Sequence, residues 1–298
     1  MNSQKLLENY KDYLTLERQV SKNTFLSYFS DIKKFLAYCD KENLNSIKAD
    51  NVSLDKYFWH LKNQKLSPAT IFRNMGAVKN FYKYLMIDEK ISKNPTETLR
   101  PPKLSQKIPK NLTMMAMEKL LNFKPTNFNQ LRTLCMIELL YGAGIRVSEL
   151  INLQLEHVNI EENWLIVFGK GSKQRMVPMN KKASTLLIQY LIEREKKFIN
   201  KSPQSEVFLN NRGEKISRVS IWKDLNSLAK FAGVSAKVHP HLFRHTFASH
   251  ILEGGADLRS VQEMLGHVNI TTTQIYTHID KKSVKRKHEN FHPRSTEK

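Results

Sequence analysis

Residues 239–252 read HPHLFRHTFASHIL, and the class of the molecule turns on this stretch. Phe243, Phe247, Ile251 and Leu252 recur at helical spacing, which predicts a deeply buried helix. His241 and Arg244 are three residues apart and therefore share one face of it. His241 and His245 stand at i and i+4, and with His239 or His250 they invite a metal-site reading. Against that reading, no cysteine or nearby carboxylate completes a ligand set, no His-Glu-x-x-His is present, and an arginine lies between the two imidazoles. No metal is expected. His250 falls among the apolar positions and reads as a core histidine.

Three further segments flank this one. They are GAGIRVSEL at 142–150, GKGSKQR at 169–175 and LGHVNITTTQIYTH at 265–278. Taken singly, each has an ordinary reading. Arg146 and Glu149 make a surface i,i+3 ion pair at a helix start, and Lys170 is a solvated lysine at a hairpin tip. His267 satisfies a last-turn carbonyl behind Gly266, and Tyr276 is a buried phenol with a bonded hydroxyl.

Around these segments the chain divides in two. Residues 1–90 read as helices: Ser21 caps one carrying Phe25, Phe29, Ile32, Phe35, Leu36 and Cys39, and a shorter helix spans 52–61. Ser67-Pro68 supplies the cap and first-turn proline of another, through Ile71, Met75, Val78, Phe81, Tyr82 and Leu85. The aromatics are expected in the core, with Lys33, Lys34, Lys62, Lys79 and Lys83 on opposite faces as phosphate contacts. Residues 91–108, with Pro95, Pro101, Pro102 and Pro109 in or beside them, read as a stiff linker. Residues 109–298 mix helices with a few strands. Thr113 caps one helix, and an apolar helix at 129–141 stops at Gly142-Ala-Gly. A hairpin joins the run from Trp164 to the run from Arg175. Helices are expected near 180–198, 217–231, 241–253, 257–265 and 271–278, and the tail from Lys281 is basic.

Composition narrows the partners. There are 48 Lys plus Arg against 28 Asp plus Glu, a net charge of +20 with a pI near 9.8, which suits a polyanion. No amphipathic helix sets lysines opposite a large apolar face, and no apolar run approaches roughly 18 residues, so no membrane partner is expected. The first residues carry acidic side chains and helical periodicity, unlike a signal peptide. Cys39 and Cys135 make neither a disulfide framework nor a zinc site, which points to a reducing cytoplasm.

Together the four segments resemble, in order and at compatible spacing, the tyrosine recombinase (phage integrase) family, most closely its XerC/XerD type. The resemblance covers the second half fully. The first half agrees in length and helical character only. It implies a mainly α fold, with an N-terminal helical core-binding, DNA-clamping domain at 1–90 and an α+β catalytic domain with a small β-sheet at 109–298. It further implies that Arg146, Lys170, His241, Arg244 and His267 surround a scissile DNA phosphate while Tyr276 attacks it. In that scheme His241 is the base, Lys170 the acid, and Glu149 a support for the arginines. Neither metal nor other cofactor is implied. Phe243, where the family often has leucine, and His239, where serine is common, are minor departures; His239 would add a phosphate contact.

The resemblance also implies double-stranded DNA as substrate, and self or a paralogous recombinase in a tetrameric synaptic complex, with the tail docking on a neighbour. A septal DNA translocase is a further partner of that scheme. Xer-type resolution of chromosome dimers at a dif-like site is the leading role, and a phage or mobile-element integrase is the alternative. A type IB topoisomerase or a non-catalytic DNA-binding protein fits less well.

Overall fold

The computed structural model describes residues 3–102, 111–169, 174–265 and 286–294. The chain falls into two compact units, Met1–Ile108 and Pro109–Lys298. The molecule is mainly helical with one small sheet, as expected.

The first unit holds four helices: α1 (Ser3–Asp12), α2 (Lys22–Lys41), α3 (Asn51–Asn63) and α4 (Pro68–Ile87), with a π-helical turn at Tyr13–Glu17 closing α1. Each start after the first is set by a side-chain cap. Ser21 accepts from the Thr24 N–H, Asp50 from Ser53 and Ser67 from Thr70, satisfying amides that have no partner within the helix. The core gathers Tyr10, Ile32, Phe35, Leu54, Tyr57, Phe81 and Tyr82. Phe25 and Phe29 are only half-buried and stack on each other, their rings 5.5 Å apart. Lys79 departs from expectation. Its Nζ donates to the Leu99 carbonyl at 2.9 Å, so it holds the chain end rather than facing solvent. Leu99 is buried in this core, and Asn94 accepts from both the amide and the hydroxyl of Thr96. Residues 91–102 therefore pack on this unit despite their linker-like composition.

The second unit is built around α6 (Phe128–Gly142), buried along nearly its whole length. Packed on it are α5 (Met114–Leu121), α8 (Lys181–Phe198), α9 (Arg218–Phe231) and α10 (Pro240–Glu253); α11 (Leu258–Leu265) packs on α10. A short helix, α7 (Val147–Ile151), follows α6 directly. The sheet is antiparallel in the order β1 (Val158–Asn159), β2 (Trp164–Phe168), β3 (Gln174–Pro178). Trp164 pairs with Pro178 and Val167 with Arg175. The turn residues 170–173 and the expected helix at 271–278 lie outside the described residues.

Leu252 is 40% exposed, so α10 is buried along a stripe and not all round. Residues 286–291 form a short helix that packs on the chain's own second unit. His288 Nε2 lies 2.6 Å from the Gly142 carbonyl, His292 Nε2 lies 3.3 Å from that of Tyr141, and Arg294 pairs with Glu138. The end of α6 leaves carbonyls that no helical amide can reach, and the two imidazoles supply donors for them.

Candidate active site

Gly144 begins the construction. It adopts φ +59°, and a Cβ there would fall 2.6 Å from the Phe247 ring, so the turn after α6 requires glycine on two counts. The turn delivers Arg146 to the cap position of α7. Its backbone N–H donates to Glu149 Oε2 at 2.7 Å, and its Nη1 donates to Glu149 Oε1 at 3.0 Å.

The expected surface ion pair is in fact a buried junction. Glu149 is 2% exposed, because Arg175 covers it from β3. Arg175 Nη1 reaches Oε1 at 2.6 Å and Nη2 reaches Oε2 at 2.9 Å, a two-pronged grip that suits guanidinium and carboxylate geometry. Burial pushes the Glu149 carboxyl pKa up, but the bonds and charge of Arg175, then those of Arg146, outweigh it and hold the group below the ordinary range.

Arg244 comes to the same place from α10 and is 9% exposed. It donates through Nη1 to the Gly144 carbonyl and through Nη2 to the Leu265 carbonyl at 2.6 Å. Neither acceptor carries a charge. Burial, followed by the nearby Arg146 and Arg175, lowers its pKa to about 9, against a smaller opposing pull from Glu149. Three guanidiniums thus face one carboxylate, leaving a net positive, partly desolvated pocket. An oxyanion entering it would meet donors already oriented, with little reorganisation needed.

His241 lies one turn before Arg244 on α10 and is exposed. His239 serves as the N-cap of α10, its Nδ1 accepting from the Leu242 N–H at 3.1 Å, which gives that imidazole a structural task. His250 is a core residue: it is buried, with Nδ1 2.9 Å from the Tyr141 hydroxyl. Among the described residues, no three His, Cys, Asp or Glu side chains are grouped to hold a metal ion.

Of the six residues singled out from sequence, the structure brings Arg146 and Arg244 together and sets His241 on the helix that carries Arg244. Lys170, His267 and Tyr276 lie outside the described residues. Arg175 had not been singled out. Its signal was the alternation of β3, which puts it on the inward face with Val177. A charge facing inward in a strand needs a buried partner.

Known proteins share this architecture. Residues 110–283 match the Phage integrase family, and residues 7–89 match the Phage integrase, N-terminal SAM-like domain. Tyrosine recombinase XerD of Chlorobaculum tepidum is 40% identical over 294 residues, covering 97% of each chain. That of Listeria monocytogenes serovar 1/2a is 37% identical over 294 residues, covering 97% of this chain and 99% of the relative. Among solved structures, XerH recombinase bound to a palindromic difH substrate after cleavage has a TM-score of 0.71 at 23% identity, covering 96% of this chain and 83% of that one. The Tn1549 transposon integrase with transposon right-end DNA has a TM-score of 0.73 at 20% identity, covering 95% and 98%. At such identities the likeness is one of fold.

Proposed function

The chain belongs to the phage integrase family of tyrosine recombinases, and on that premise we propose that it cuts and rejoins duplex DNA through a covalent bond between a 3′-phosphate and Tyr276. The observation carrying this reading is the arginine pocket: Arg244, buried and held among the described residues by two backbone carbonyls, stands with Arg146 and Arg175 around one carboxylate. A DNA phosphodiester is anionic and repels nucleophiles. Arginines that stay protonated and grip paired oxygens offset that repulsion as the pentacoordinate transition state forms.

In this mechanism Arg146 and Arg244 hold the non-bridging oxygens. A free phenol, whose pKa is about 10, is a weak nucleophile until its proton is taken; in this mechanism Tyr276 gives its proton to His241, the base. The phenolate oxygen bonds to phosphorus as the bond to the 5′-oxygen breaks. Lys170 protonates that leaving oxygen and His267 steadies the phosphate or the tyrosine. The products are a 3′-phosphotyrosine and a free 5′-hydroxyl. A hydroxyl from a partner strand reverses the step without ATP, because the link conserves the bond energy.

The biological reading is Xer-type resolution of chromosome dimers at a dif-like inverted repeat in the cytoplasm. The protein would act as a tetramer with itself or a paralogue, under a septal translocase. End-to-end similarity to XerD proteins supports it. A mobile-element integrase would use the same chemistry at a different site. The test begins with a duplex that the protein selects from a random-sequence pool, then nicked to trap the intermediate. Wild type is expected to accumulate a covalent adduct, and Tyr276→Phe to bind the duplex without forming any. Adduct in that variant would overturn the assignment of the nucleophile. Lys170→Ala should cleave slowly and recover on a 5′-bridging phosphorothiolate, whose leaving group needs no proton. A selected sequence absent from the source chromosome's single inverted repeats would count against the Xer role.

A further inference from the structure

Glu149 uses both carboxylate oxygens twice. Oε1 accepts from Arg146 Nη1 and Arg175 Nη1, and Oε2 accepts from the Arg146 backbone and Arg175 Nη2. A buried ion pair is no economical way to gain stability, since apolar side chains of similar size commonly do as well. Its use lies in fixing direction, and what this pair fixes is Arg146. Arg175 also belongs to β3, paired with Val167 of β2, and lies five residues after Lys170. The strand that leaves the hairpin turn is therefore bonded, through one carboxylate, to the first residue of the α7 turn.

We propose that Arg175 is a positioning residue for the cleavage reaction: by gripping Glu149 it orients Arg146 and ties the β2–β3 hairpin to the start of α7. The inference rests on the recombinase reading given above. Arg175 spends its two terminal nitrogens on Glu149 and acts on the phosphate through Arg146. Without it, the carboxylate would stay buried and, among the described residues, keep Arg146 and the more distant Arg244 as cationic neighbours. Burial, the largest influence on Glu149, would then dominate and favour the protonated acid, which holds Arg146 poorly.

The closing experiment measures single-turnover cleavage at saturating DNA, and DNA affinity, on the selected nicked duplex for wild type, Arg175→Met, Arg175→Lys and Glu149→Gln. Arg175→Met is expected to slow cleavage roughly 10- to 100-fold, the scale set by a small misplacement of a reacting group. Its affinity should stay within about two-fold of wild type on that same ground. Arg175→Lys, keeping the charge and losing the fork, should fall between, and it serves as the folded variant if the methionine protein does not fold. The rate of Arg175→Met should also drop as pH falls toward 5 by more than wild type does, and adding Glu149→Gln should remove that extra dependence. Wild-type cleavage in Arg175→Met, or equal losses of rate and affinity with no added pH dependence, would overturn the proposal. If wild type forms no adduct that depends on Tyr276, the recombinase reading fails instead. The positioning role is then decided on DNA-free protein by the solvent exchange of the Arg146 guanidinium protons, identified by their loss in Arg146→Lys. Faster exchange in Arg175→Met supports the role, and unchanged exchange refutes it.

Discussion

The first unit closes around rings, whereas the second closes around charges. In the first, Tyr10 packs edge-on against Phe81 at 5.2 Å and Phe35 against Tyr57 at 5.0 Å, and the phenols of Tyr10 and Tyr82 donate to Asn80 and to the Ser46 carbonyl. Among its described residues the buried carboxylate, Asp31, is answered by a half-exposed Arg73. The second unit buries Arg132, Glu138, Glu149, Arg175 and Arg244, together with His250, His288 and His292. Burying ions costs stability unless each finds partners, so a fold does so where the charges are needed. The ring-filled unit is held mainly by the packing of its aromatic side chains, with a few neutral hydrogen bonds among them. The charge-filled unit pays in stability for a pocket tuned to an anion.

That contrast can be broken most sharply at Arg244. Arg244→Lys keeps a cation but cannot reach two carbonyls and a phosphate together, so cleavage of the nicked duplex should fall about 10²- to 10³-fold, the usual loss for one preorganised donor. Gly144→Ala should follow closely. Its Cβ meets the Phe247 ring, and relieving the clash moves the carbonyl that holds Arg244. A cleavage rate within two-fold of wild type would mean that this anchor is dispensable.

Acid should separate the two units. Burial keeps His288 neutral and lowers its pKa from 6.5 to about 4, and His292 is likewise held well below its ordinary value by burial, then by His288, Arg294 and His250. Below pH 6.5 the unfolded chain takes up protons that the folded one refuses, so this stability is present above that value and is lost as pH falls toward 4. For His288 the drop is worth on the order of 3 kcal/mol. Hydrogen exchange on the full chain should show protection falling in the second unit across this window while α2 and α4 of the first stay protected. Parallel loss in both units would erase the distinction. The smallest effect belongs to the first unit: Tyr82→Phe should cost about 1 kcal/mol in denaturant unfolding, with cleavage of folded protein unchanged.

How much of this was legible beforehand depends on reach. Helix starts at Ser21, Ser67 and Thr113 could be read because a cap and the amides it serves lie within three residues. The strand runs from Trp164 and from Arg175 could be read because they flank a short glycine-bearing turn. The junction at Glu149 could not, because its second arginine lies 26 residues away and nothing in the i,i+3 spacing to Arg146 announces it. The two-residue strand at Val158 is too short to carry a period. The tail was read only as basic, whereas His288 and His292 within it are buried, with burial lowering the pKa of each, and that is set by what they touch. Motif spacing could nominate Arg146 and Arg244. Only the fold could show that a third arginine keeps the first in place.

The docking of residues 286–294 has a consequence for how the chain is made. Arg146, Glu149 and Arg175 find one another across fewer than 30 residues, so this junction can assemble soon after β3 is synthesised. The Gly142 and Tyr141 carbonyls and the Glu138 carboxylate wait for partners 146 to 156 residues further on. A nascent chain thus carries the central, most extensively buried helix of the unit, with its end uncapped, through most of the unit's synthesis. Contacts of such long range close slowly and leave sticky surface open in the meantime. Chains interrupted between residues 277 and 286 should be prone to aggregation even though every catalytic residue assigned above has already been made.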